Sequence, residues 1–564
     1  MNIIKSFLCI SLCLTWLNPS FAQQRAIERI HISTDRELYV AGETIWLSLY
    51  CFDMSGKEPH LSHVSSVAYL ELRQDASLLA SVKLAITTGR GSGRLQIPPA
   101  LPTGNYRLIA YTKQMMNEDT LRYFDKIIPI YNTLSAERVP ENVFMIDEHH
   151  VDEKDTPVMN HPKLVDLQLL GVAGNSVPPN FPLPISIKNI SDQAISINIS
   201  VANIDIPAKH HQTIPDFFVQ ATHDPAKIKF QDRYIPEYEG EIIRGVIKNI
   251  DAIHPKEGSL FLSTIGTGVE VYAASLDTIT GDFSFYTHSI YGNREIALEY
   301  STADEVSFEL IDPFVKPPVM PSPPLYLDKK TESAFVQRSI EMQVSHRFGM
   351  DTLYNRISTL GDPFISNNKP IVYDLDHYTR FPAMQDIMVE FISEMRFKRN
   401  NNRMSLEMVL LDAAQRWAFY DNPLTVIDGI AIFDHERLYH YDPLKVKTVT
   451  IYRSNYRIGN KIFNGIAQFN TYHGGYPGLT LGKNALILDF PGVAYPCRFT
   501  GIIPASVPDV RTLLYWDPLV EMARGEGCEI VLKTSLIPGT YAVTLEGVTD
   551  RAQPVYHKTV FTVQ

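Results

Sequence analysis

The chain has 564 residues, more than one hydrophobic core supports, so several domains are expected. Hydrophobic residues make up 45% and charged residues 20%, which is a globular composition and excludes an intrinsically disordered chain. The formal net charge of −12 argues against a nucleic-acid-binding protein, because binding to phosphates needs a basic surface.

Residues 1–22 predict a signal peptide. Lys5 is the positive n-region, residues 7–16 are the apolar h-region, and Ser20-Phe21-Ala22 is a small-x-small cleavage site. No later segment reaches about 18 consecutive apolar residues, so no membrane-spanning segment is expected in the mature chain. The mature protein is therefore predicted to be exported.

Cleavage would leave three cysteines, Cys51, Cys497 and Cys528. The first interpretation is that all three are small buried hydrophobic residues. A Cys497–Cys528 disulfide in an exported chain is one alternative, and a catalytic cysteine is another.

Residues 26–134 alternate apolar and polar side chains between turn signals, which predicts an antiparallel β-sandwich. Residues 34–44 read Thr-Asp-Arg-Glu-Leu-Tyr-Val-Ala-Gly-Glu-Thr, and residues 101–106 read Leu-Pro-Thr-Gly-Asn-Tyr. Both resemble the second macroglobulin-type (MG2) domain of α2-macroglobulin-like proteins. The Gly-Cys-Gly-Glu-Gln run of a thioester does not occur in the sequence, so the resemblance does not imply covalent trapping.

Two further β units are predicted. Residues 160–240 contain strand patterns at 165–170 and 183–201, followed by a proline-broken stretch expected to be an exposed excursion. Residues 241–314 carry an Arg-Gly-x-Ile strand and a Gly-x-Phe-x-Phe strand. This unit resembles the carboxypeptidase-regulatory, transthyretin-like sandwich, which implies a structural spacer without catalysis.

Residues 315–369 are predicted to be a stiff, extended proline-rich linker followed by a helix over 332–348. The apolar residues recur at helical spacing and are expected to form the buried stripe. They are Phe335, Val336, Ile340, Val344 and Phe348.

Residues 370–480 predict a mixed α+β unit. Apolar residues from Met384 to Met395 recur at helical spacing and predict an amphipathic helix, and the Asp428-Gly429 pair between two β-branched runs predicts a hairpin. With the strand at 446–453 and the Asn464-Gly465 run, this order resembles the plug domain of TonB-dependent outer-membrane transporters. Fewer than about 100 residues follow, too few for a barrel, so transport by this chain alone is not expected. Asp428, Gly429, Asn464 and Gly465 are the candidate docking residues.

Residues 481–564 predict a C-terminal β-sandwich element, whose Pro-Gly-Thr-Tyr turn resembles the corner at 102–106. His149-His150 and His210-His211 lack the spacing of zinc ligands, and the glycine-rich run at 89–93 lacks the ending of a phosphate loop. No catalytic, cofactor-binding or metal residue is predicted, and no cofactor is expected.

The predicted fold class is mainly β, a string of Ig-like or macroglobulin-type sandwiches plus one small α+β plug-like domain. Together with the export signal, the plug resemblance implies a protein in the periplasm or at the outer membrane of a Gram-negative bacterium. The leading functional hypothesis is a non-enzymatic envelope protein that binds or scaffolds an outer-membrane or envelope protein, such as a TonB-dependent transporter. One alternative is a binding protein for a glycan or peptide nutrient. Another is a hydrolase whose carboxylate pair is assembled only in three dimensions.

Overall fold

The structure is a computed structural model. It describes residues 25–120, 122–134, 142–146, 164–172, 176–206, 212–221, 228–250, 258–288, 290–302, 305–318, 320–357, 369–400, 403–411, 416–499, 503–504 and 507–564. The predicted signal peptide and both histidine pairs lie outside these residues.

The strands of the first half are numbered in chain order. They are β1 Glu28–Thr34, β2 Tyr39–Val40, β3 Thr44–Asp53, β4 His60–Leu61, β5 Val67–Gln74, β6 Ser77–Thr87, β7 Arg90–Gln96, β8 Gly104–Tyr111, β9 Phe124–Tyr131, β10 Val143–Ile146, β11 Leu167–Leu170, β12 Ser176–Val177, β13 Pro182–Asn189, β14 Ile195–Asn203, β15 Ile242–Ile247, β16 Leu260–Thr264, β17 Val271–Ala273, β18 Ser275–Leu276, β19 Asp282–Tyr286, β20 Asn293–Tyr300 and β21 Phe308–Leu310.

The second half continues the numbering. Its strands are β22 Leu325–Asp328, β23 Asn355–Arg356, β24 Ile371–Asp374, β25 Met395–Asn400, β26 Arg403–Leu411, β27 Trp417–Asp421, β28 Leu424–Ile427, β29 Ile430–Ile432, β30 Val446–Ile458, β31 Lys461–Thr471, β32 Ala485–Pro491, β33 Cys497–Arg498, β34 Leu513–Met522, β35 Gly527–Lys533, β36 Gly539–Thr549 and β37 Pro554–Val563. The described α-helices are α1 Ile214–Gln220, α2 Glu332–Arg347, α3 Met384–Glu390 and α4 His435–Tyr439. None of the described helices has the length and apolar character needed to cross a bilayer.

The first sandwich is built from β1 to β9, in the order β1-β3-β7-β6-β5-β8-β9-β2 with β4 beside β3. The long strand β6 pairs with β7 at one end and β5 at the other, so it carries the chain from one layer to the next. The two layers enclose a core of aliphatic and tyrosine side chains. The predicted mainly-β fold class, with sandwich units, is confirmed.

The second sandwich joins parts of the chain that the sequence analysis assigned to different units. One sheet has the order β11-β13-β35, and the other has the order β12-β37-β36-β14-β34. Strand β14, from the middle of the chain, pairs with β34 on one side and β36 on the other. The 160–240 and 481–564 segments therefore share one core, because each supplies only part of the apolar surface that a sandwich encloses.

The third sandwich also takes a strand from the C-terminal region. Its sheets have the orders β18-β19-β15-β21 and β17-β16-β20-β32. Residues 485–491 form β32 and pair with β20 in antiparallel register. A core of Phe, Leu and Ile side chains lies between the two sheets.

The α+β unit contains a mixed five-stranded sheet, β24-β30-β31-β28-β29, and a three-stranded sheet, β25-β26-β27. Helix α3 is shorter than predicted, because Met395 pairs with Met408 and starts a strand where the helical pattern would continue. Met384, Ile387, Met388 and Met395 are all buried, so the predicted apolar residues do form the core.

Two described parts of the irregular stretch after β14 contact the first sandwich, whereas other described residues, such as Ile235 and Tyr238, are exposed as predicted. Helix α1 packs Phe217 against Phe52 of the first sandwich, with ring centroids 5.3 Å apart. Further on, Asn117 donates from its side chain to the Tyr234 carbonyl at 2.8 Å. Prolines break helices and strands, but they leave the backbone carbonyls free to accept hydrogen bonds from a neighbouring unit.

The proline-rich segment after β21 lies along the first sandwich rather than standing free as a linker. Arg107 donates to the Pro321 carbonyl at 3.0 Å, and Asn105 donates to the Pro324 carbonyl at 3.1 Å. Its extended shape is as predicted, but side chains of the sandwich fix it in place.

Helix α2 forms where a helix was predicted. The face that it buries differs from the predicted one. Val336 and Ile340 are exposed, whereas Arg338 and Glu341 are buried. Arg338 is drawn inward because it forms an ion pair with the buried Glu43 at 3.1 Å. The apolar stripe therefore does not mark the contact side of this helix.

Candidate functional site

The predicted hairpin of the α+β unit exists, with Asp428 at φ 46° and Gly429 at φ 90° in its turn. Such positive φ angles suit the Asp-Gly pair of a tight two-residue turn. The Asp428 carboxylate accepts hydrogen bonds from the Thr471 amide at 2.8 Å, the Thr471 hydroxyl at 2.7 Å and the Tyr476 amide at 2.8 Å. Asp428 therefore stabilises the unit's own loops.

The turn of this hairpin is covered by the third sandwich. The Gly266 amide donates to the Asp428 carbonyl at 2.9 Å. A Cβ atom on Gly429 would lie 2.2 Å from the Thr264 carbonyl oxygen, so only glycine allows this approach. The docking role of Asp428 and Gly429 stays a prediction, and in this structure the backbone of their turn contacts the third sandwich.

Asn464 and Gly465 also have structural roles. The strand pairing β30–β31 shifts register between Tyr452 and Asn455, and Gly465 lies at that bulge with φ 93°. Asn464 donates from its side chain to the Asp421 carbonyl at 2.7 Å. A Cβ atom on Gly465 would lie 2.1 Å from the sulfur of Met408, so the two sheets of the unit meet here.

Exposed apolar side chains of the α+β unit include two on strand β27 and helix α3. Trp417 is 57% exposed and Val389 is 74% exposed. The Arg453 guanidinium carbon lies 4.5 Å from the centre of the Trp417 ring, and that of Arg396 lies 3.9 Å from the centre of the Phe419 ring. We call Arg396, Trp417, Phe419 and Arg453 the aromatic–arginine strip. No local sequence pattern identified it.

Residues 34–44 form a buried polar cluster at a corner of the first sandwich. Asp35 accepts from the Tyr39 hydroxyl at 2.7 Å and from the Trp46 amide at 2.9 Å. Glu43 accepts from the Val40 amide at 2.7 Å and pairs with Arg36 at 3.0 Å. The polar residues of this motif therefore hold the strand corner together, which explains their pattern without catalysis.

A buried ion pair joins the first sandwich to the third. The Lys83 ammonium lies 2.6 Å from both carboxylate oxygens of Glu241. Burial lowers the pKa of Lys83 and raises that of Glu241, and the charge of each partner opposes these shifts. A desolvated pair of this kind couples the two units, because removing one partner would leave the other charge unpaired.

A third buried carboxylate lies at the same junction. Glu237 accepts from the Tyr69 hydroxyl at 2.8 Å and from the Ile242 amide at 3.0 Å. Burial raises the pKa of Glu237 to about 7, although these hydrogen bonds and the charge of Lys113 favour the ionised form. This junction therefore changes its charge near neutral pH.

Buried pairs join the remaining units as well. His31 of the first sandwich lies 3.0 Å from Glu546 of the second, and its charge lowers the pKa of Glu546 although burial alone would raise it. Arg437 of the α+β unit lies 3.0 Å from Glu299 of the third sandwich. Burial raises the pKa of Glu299 to about 7 despite Arg437.

A cavity of about 760 Å³ lies between the first and third sandwiches and the segment around β23. Its floor is the connecting segment 491–499, which we call the strap. The backbone amide of Ala494 in the strap donates to the Lys83 carbonyl at 2.7 Å, and the Val493 amide donates to the Ile290 carbonyl at 2.8 Å. These two hydrogen bonds hold the strap against the first and the third sandwich, which form two walls of the cavity.

The cavity has a polar, cationic lining. We call it the cationic cleft, and its charged and aromatic lining residues are Lys83, Arg94, Arg294, Phe314, Tyr291, Tyr354, Arg356 and Tyr495. A volume of about 760 Å³ is in the usual range for small-molecule sites. These residues come from distant parts of the chain, so local sequence patterns could not bring them together.

The three cysteines of the described chain are free. Cys51 and Cys497 are buried, as predicted, and Cys528 is half-buried. The alternative of a Cys497–Cys528 disulfide is therefore not formed. Burial raises the pKa of all three thiols, which disfavours the reactive thiolate. Within the described residues, no group of three or more His, Cys, Asp or Glu is placed to hold a metal ion.

No family model matches the chain, and no curated protein matches it. Among solved structures, the alpha-2-macroglobulin of Salmonella reacted with methylamine is similar at 10% sequence identity, with a TM-score of 0.23, over 95% of this chain and 39% of its own. The native alpha-2-macroglobulin of E. coli is similar at 10% identity, with a TM-score of 0.24, over 97% and 40% respectively. The chain thus spans about two fifths of the length of these structures. The carboxypeptidase-regulatory and plug resemblances stay predictions.

Proposed function

We propose that this chain is a non-enzymatic binding and scaffolding protein of the bacterial cell envelope, which docks to an outer-membrane transporter through its α+β unit. The envelope location follows from the export signal predicted at residues 1–22. The docking role follows from the predicted plug-like order of the α+β unit, and the aromatic–arginine strip is the surface assigned to it.

The observation that carries the proposal is the set of buried pairs between units. Lys83–Glu241, His31–Glu546 and Arg437–Glu299 each connect two different units through side chains that are largely removed from water. Breaking a buried pair costs roughly 3–5 kcal/mol, so such contacts resist relative movement of the units. A frame of this kind suits a protein that holds a docking unit in a defined position.

The strip supports docking by its composition. Exposed tryptophan and arginine are enriched at the centres of protein interfaces, where they contribute much of the binding energy. Arg453 and Arg396 rest against aromatic rings, so less side-chain entropy remains to be lost when a partner covers them. The partner surface expected for this strip carries carboxylates beside apolar side chains.

Quantitative affinity purification of the full-length tagged chain from solubilised envelopes tests the docking role. We expect one transporter to be recovered, and Trp417→Glu to reduce its recovery by about tenfold. Tyr286→Glu is the matched control, because Tyr286 is 49% exposed on the third sandwich. Recovery of no transporter, or equal recovery with the two variants, would refute the docking role.

A further inference from the structure

The cationic cleft is unusual in a chain whose formal net charge is −12. Four of its lining side chains are positively charged, namely Lys83, Arg94, Arg294 and Arg356. None of the described residues that line it is Asp or Glu. The cleft therefore concentrates positive charge in a polar recess with low-dielectric walls, which focuses the field on whatever enters it.

Two of the four cations are already neutralised from outside the cleft. Lys83 is bonded to Glu241 at 2.6 Å, and Arg294 lies 3.3 Å from Glu270. Arg94 and Arg356 differ, because neither forms an ion pair with any described residue. Within the part of the chain that the structure describes, these two cleft charges have no anionic partner.

Both of these arginines are positioned by tyrosines. The Arg94 guanidinium carbon lies 4.0 Å from the centre of the Tyr354 ring, and its Nη2 donates to the Tyr354 hydroxyl at 2.5 Å. The Arg356 guanidinium carbon lies 4.4 Å from the centre of the Tyr495 ring. An arginine that stacks on an aromatic face keeps in-plane N–H donors for a carboxylate or phosphate.

The two arginines converge on one end of the cleft. Arg356 on β23 is the register partner of Cys497 on β33, and Cys497 lines the cleft. Burial raises the pKa of the Cys497 thiol, while the charges of Arg94 and Arg356 both act to lower it. Arg94 and Arg356 therefore act on the same small region of the cleft wall.

We propose that the cationic cleft binds a small anionic ligand, whose carboxylate or phosphate group is held between Arg94 and Arg356. Arginine is suited to this task, because its planar fork of donors matches an oxyanion through two parallel hydrogen bonds. Tyr354 and Tyr495 hold the two forks in place, and Gln96, Asn293 and Ser81 supply further polar groups along the wall. This site is separate from the aromatic–arginine strip and stands whether or not that strip docks to a partner.

Isothermal titration of the full-length mature chain tests the proposal. Inorganic phosphate, trigalacturonate and triglutamate are the anionic probes, and maltotriose is the uncharged one. The phosphate arm tests a phosphate group, while the other two separate a sugar carboxylate from a peptide carboxylate. We expect at least one anionic probe to bind, maltotriose not to bind, and the affinity to weaken as salt is raised.

Substitutions then locate the site. Arg94→Gln and Arg356→Gln are each expected to weaken binding by about tenfold or more, and the double variant to abolish it. Arg524→Gln removes the same charge from an exposed turn outside the cleft and is expected to leave binding unchanged. Arg356 is exposed, so its variant keeps the fold even if Arg94→Gln disturbs it. Binding of none of the anionic probes, or binding that Arg356→Gln leaves unchanged, overturns the proposal.

Discussion

The ammonium group of Lys83 lies 2.6 Å from both carboxylate oxygens of Glu241, and each side chain is 2% exposed. Lys83 belongs to the first sandwich, whereas Glu241 directly precedes the first strand of the third. This pair therefore joins two units through side chains that are almost completely buried. It is also the place where the first-sandwich wall of the cationic cleft meets the strap.

Removal of one partner of this pair is expected to destabilise the protein strongly. Lys83→Met should lower the free energy of unfolding by roughly 3–5 kcal/mol, because Glu241 would remain charged and buried without a partner. The double variant Lys83→Met/Glu241→Leu should lose clearly less than the two single variants combined. Chemical denaturation followed by fluorescence measures both effects.

The matched control is an exposed pair of the same chemistry. Lys248 lies 2.6 Å from Glu309 on the third sandwich, with side chains 52% and 60% exposed. Lys248→Met should cost less than about 1 kcal/mol, because water already screens this pair. Equal losses for Lys83→Met and Lys248→Met would contradict the role assigned to the buried pair.

The second prediction concerns pH. The pKa of Glu237 rises from 4.5 in the unfolded chain to about 7 in the fold, mainly because the carboxyl group is buried. The folded state thus binds more protons than the unfolded state between these values, so this group's contribution to stability falls as pH rises from about 4.5 to about 7. Tyr69, Lys113 and Glu241 face the same carboxylate and modulate this effect.

Glu237→Gln tests this sign. The variant should be more stable than the parent at pH 8 and close to it at pH 5, with a difference between the two conditions of about 2–3 kcal/mol. The melting temperatures of both proteins at both pH values measure the effect. If Glu237→Gln raises the melting temperature more at pH 5 than at pH 8, the predicted direction of the pH dependence is wrong.

The third prediction compares the effect on stability of alanine at two glycines that both have positive φ angles. Gly429 has φ 90°, and a Cβ there would lie 2.2 Å from the Thr264 carbonyl oxygen; Gly474 has φ 69°, and a Cβ there meets nothing within 4 Å. Gly474→Ala should lower the free energy of unfolding by about 1 kcal/mol, because alanine is strained at a positive φ angle. Gly429→Ala should cost at least about 2 kcal/mol more, because the hairpin must separate from the third sandwich. Denaturant midpoints of the two variants decide this, and equal costs would show that the turn is not covered.

The fourth prediction concerns the thiols. Cys51, Cys497 and Cys528 are free, and burial raises the pKa of each. Non-reducing peptide mapping of the purified chain should find no cross-linked pair. Alkylation under native conditions should modify Cys528 first, because it alone of the three is half-buried rather than buried. A Cys497–Cys528 peptide in the map would contradict this arrangement.

Local patterns predicted the elements of this chain well and their assembly poorly. The Asp428-Gly429 pair predicted its hairpin because turn chemistry depends on neighbouring residues alone. The loop of the third sandwich that contacts the turn is distant in sequence, so this contact could not be predicted from local patterns. The buried face of helix α2 could not be predicted from its own apolar stripe either, because that face depends on the ion pair between Arg338 and Glu43.

The assembly of the second sandwich and of the cationic cleft also could not be predicted from local sequence patterns. Strands β14 and β36 each alternate in a way that predicts a strand, but nothing in either segment identifies the other as its partner. Arg94 and Arg356 likewise line the same cavity although they lie far apart in the sequence. Whether a charged side chain forms an ion pair can be decided only from the whole fold, because its candidate partners lie far away in the chain.

The central claim is that buried pairs and shared sheets hold the sandwiches and the α+β unit in one frame. Distance measurement by electron paramagnetic resonance tests it most directly, with spin labels at Leu78 of the first sandwich and Ile462 of the α+β unit, both exposed, and the native cysteines replaced by alanine. We predict a single narrow distance distribution, which broadens when Lys83→Met is added. A broad or multiple distribution in the protein without Lys83→Met would contradict the claim.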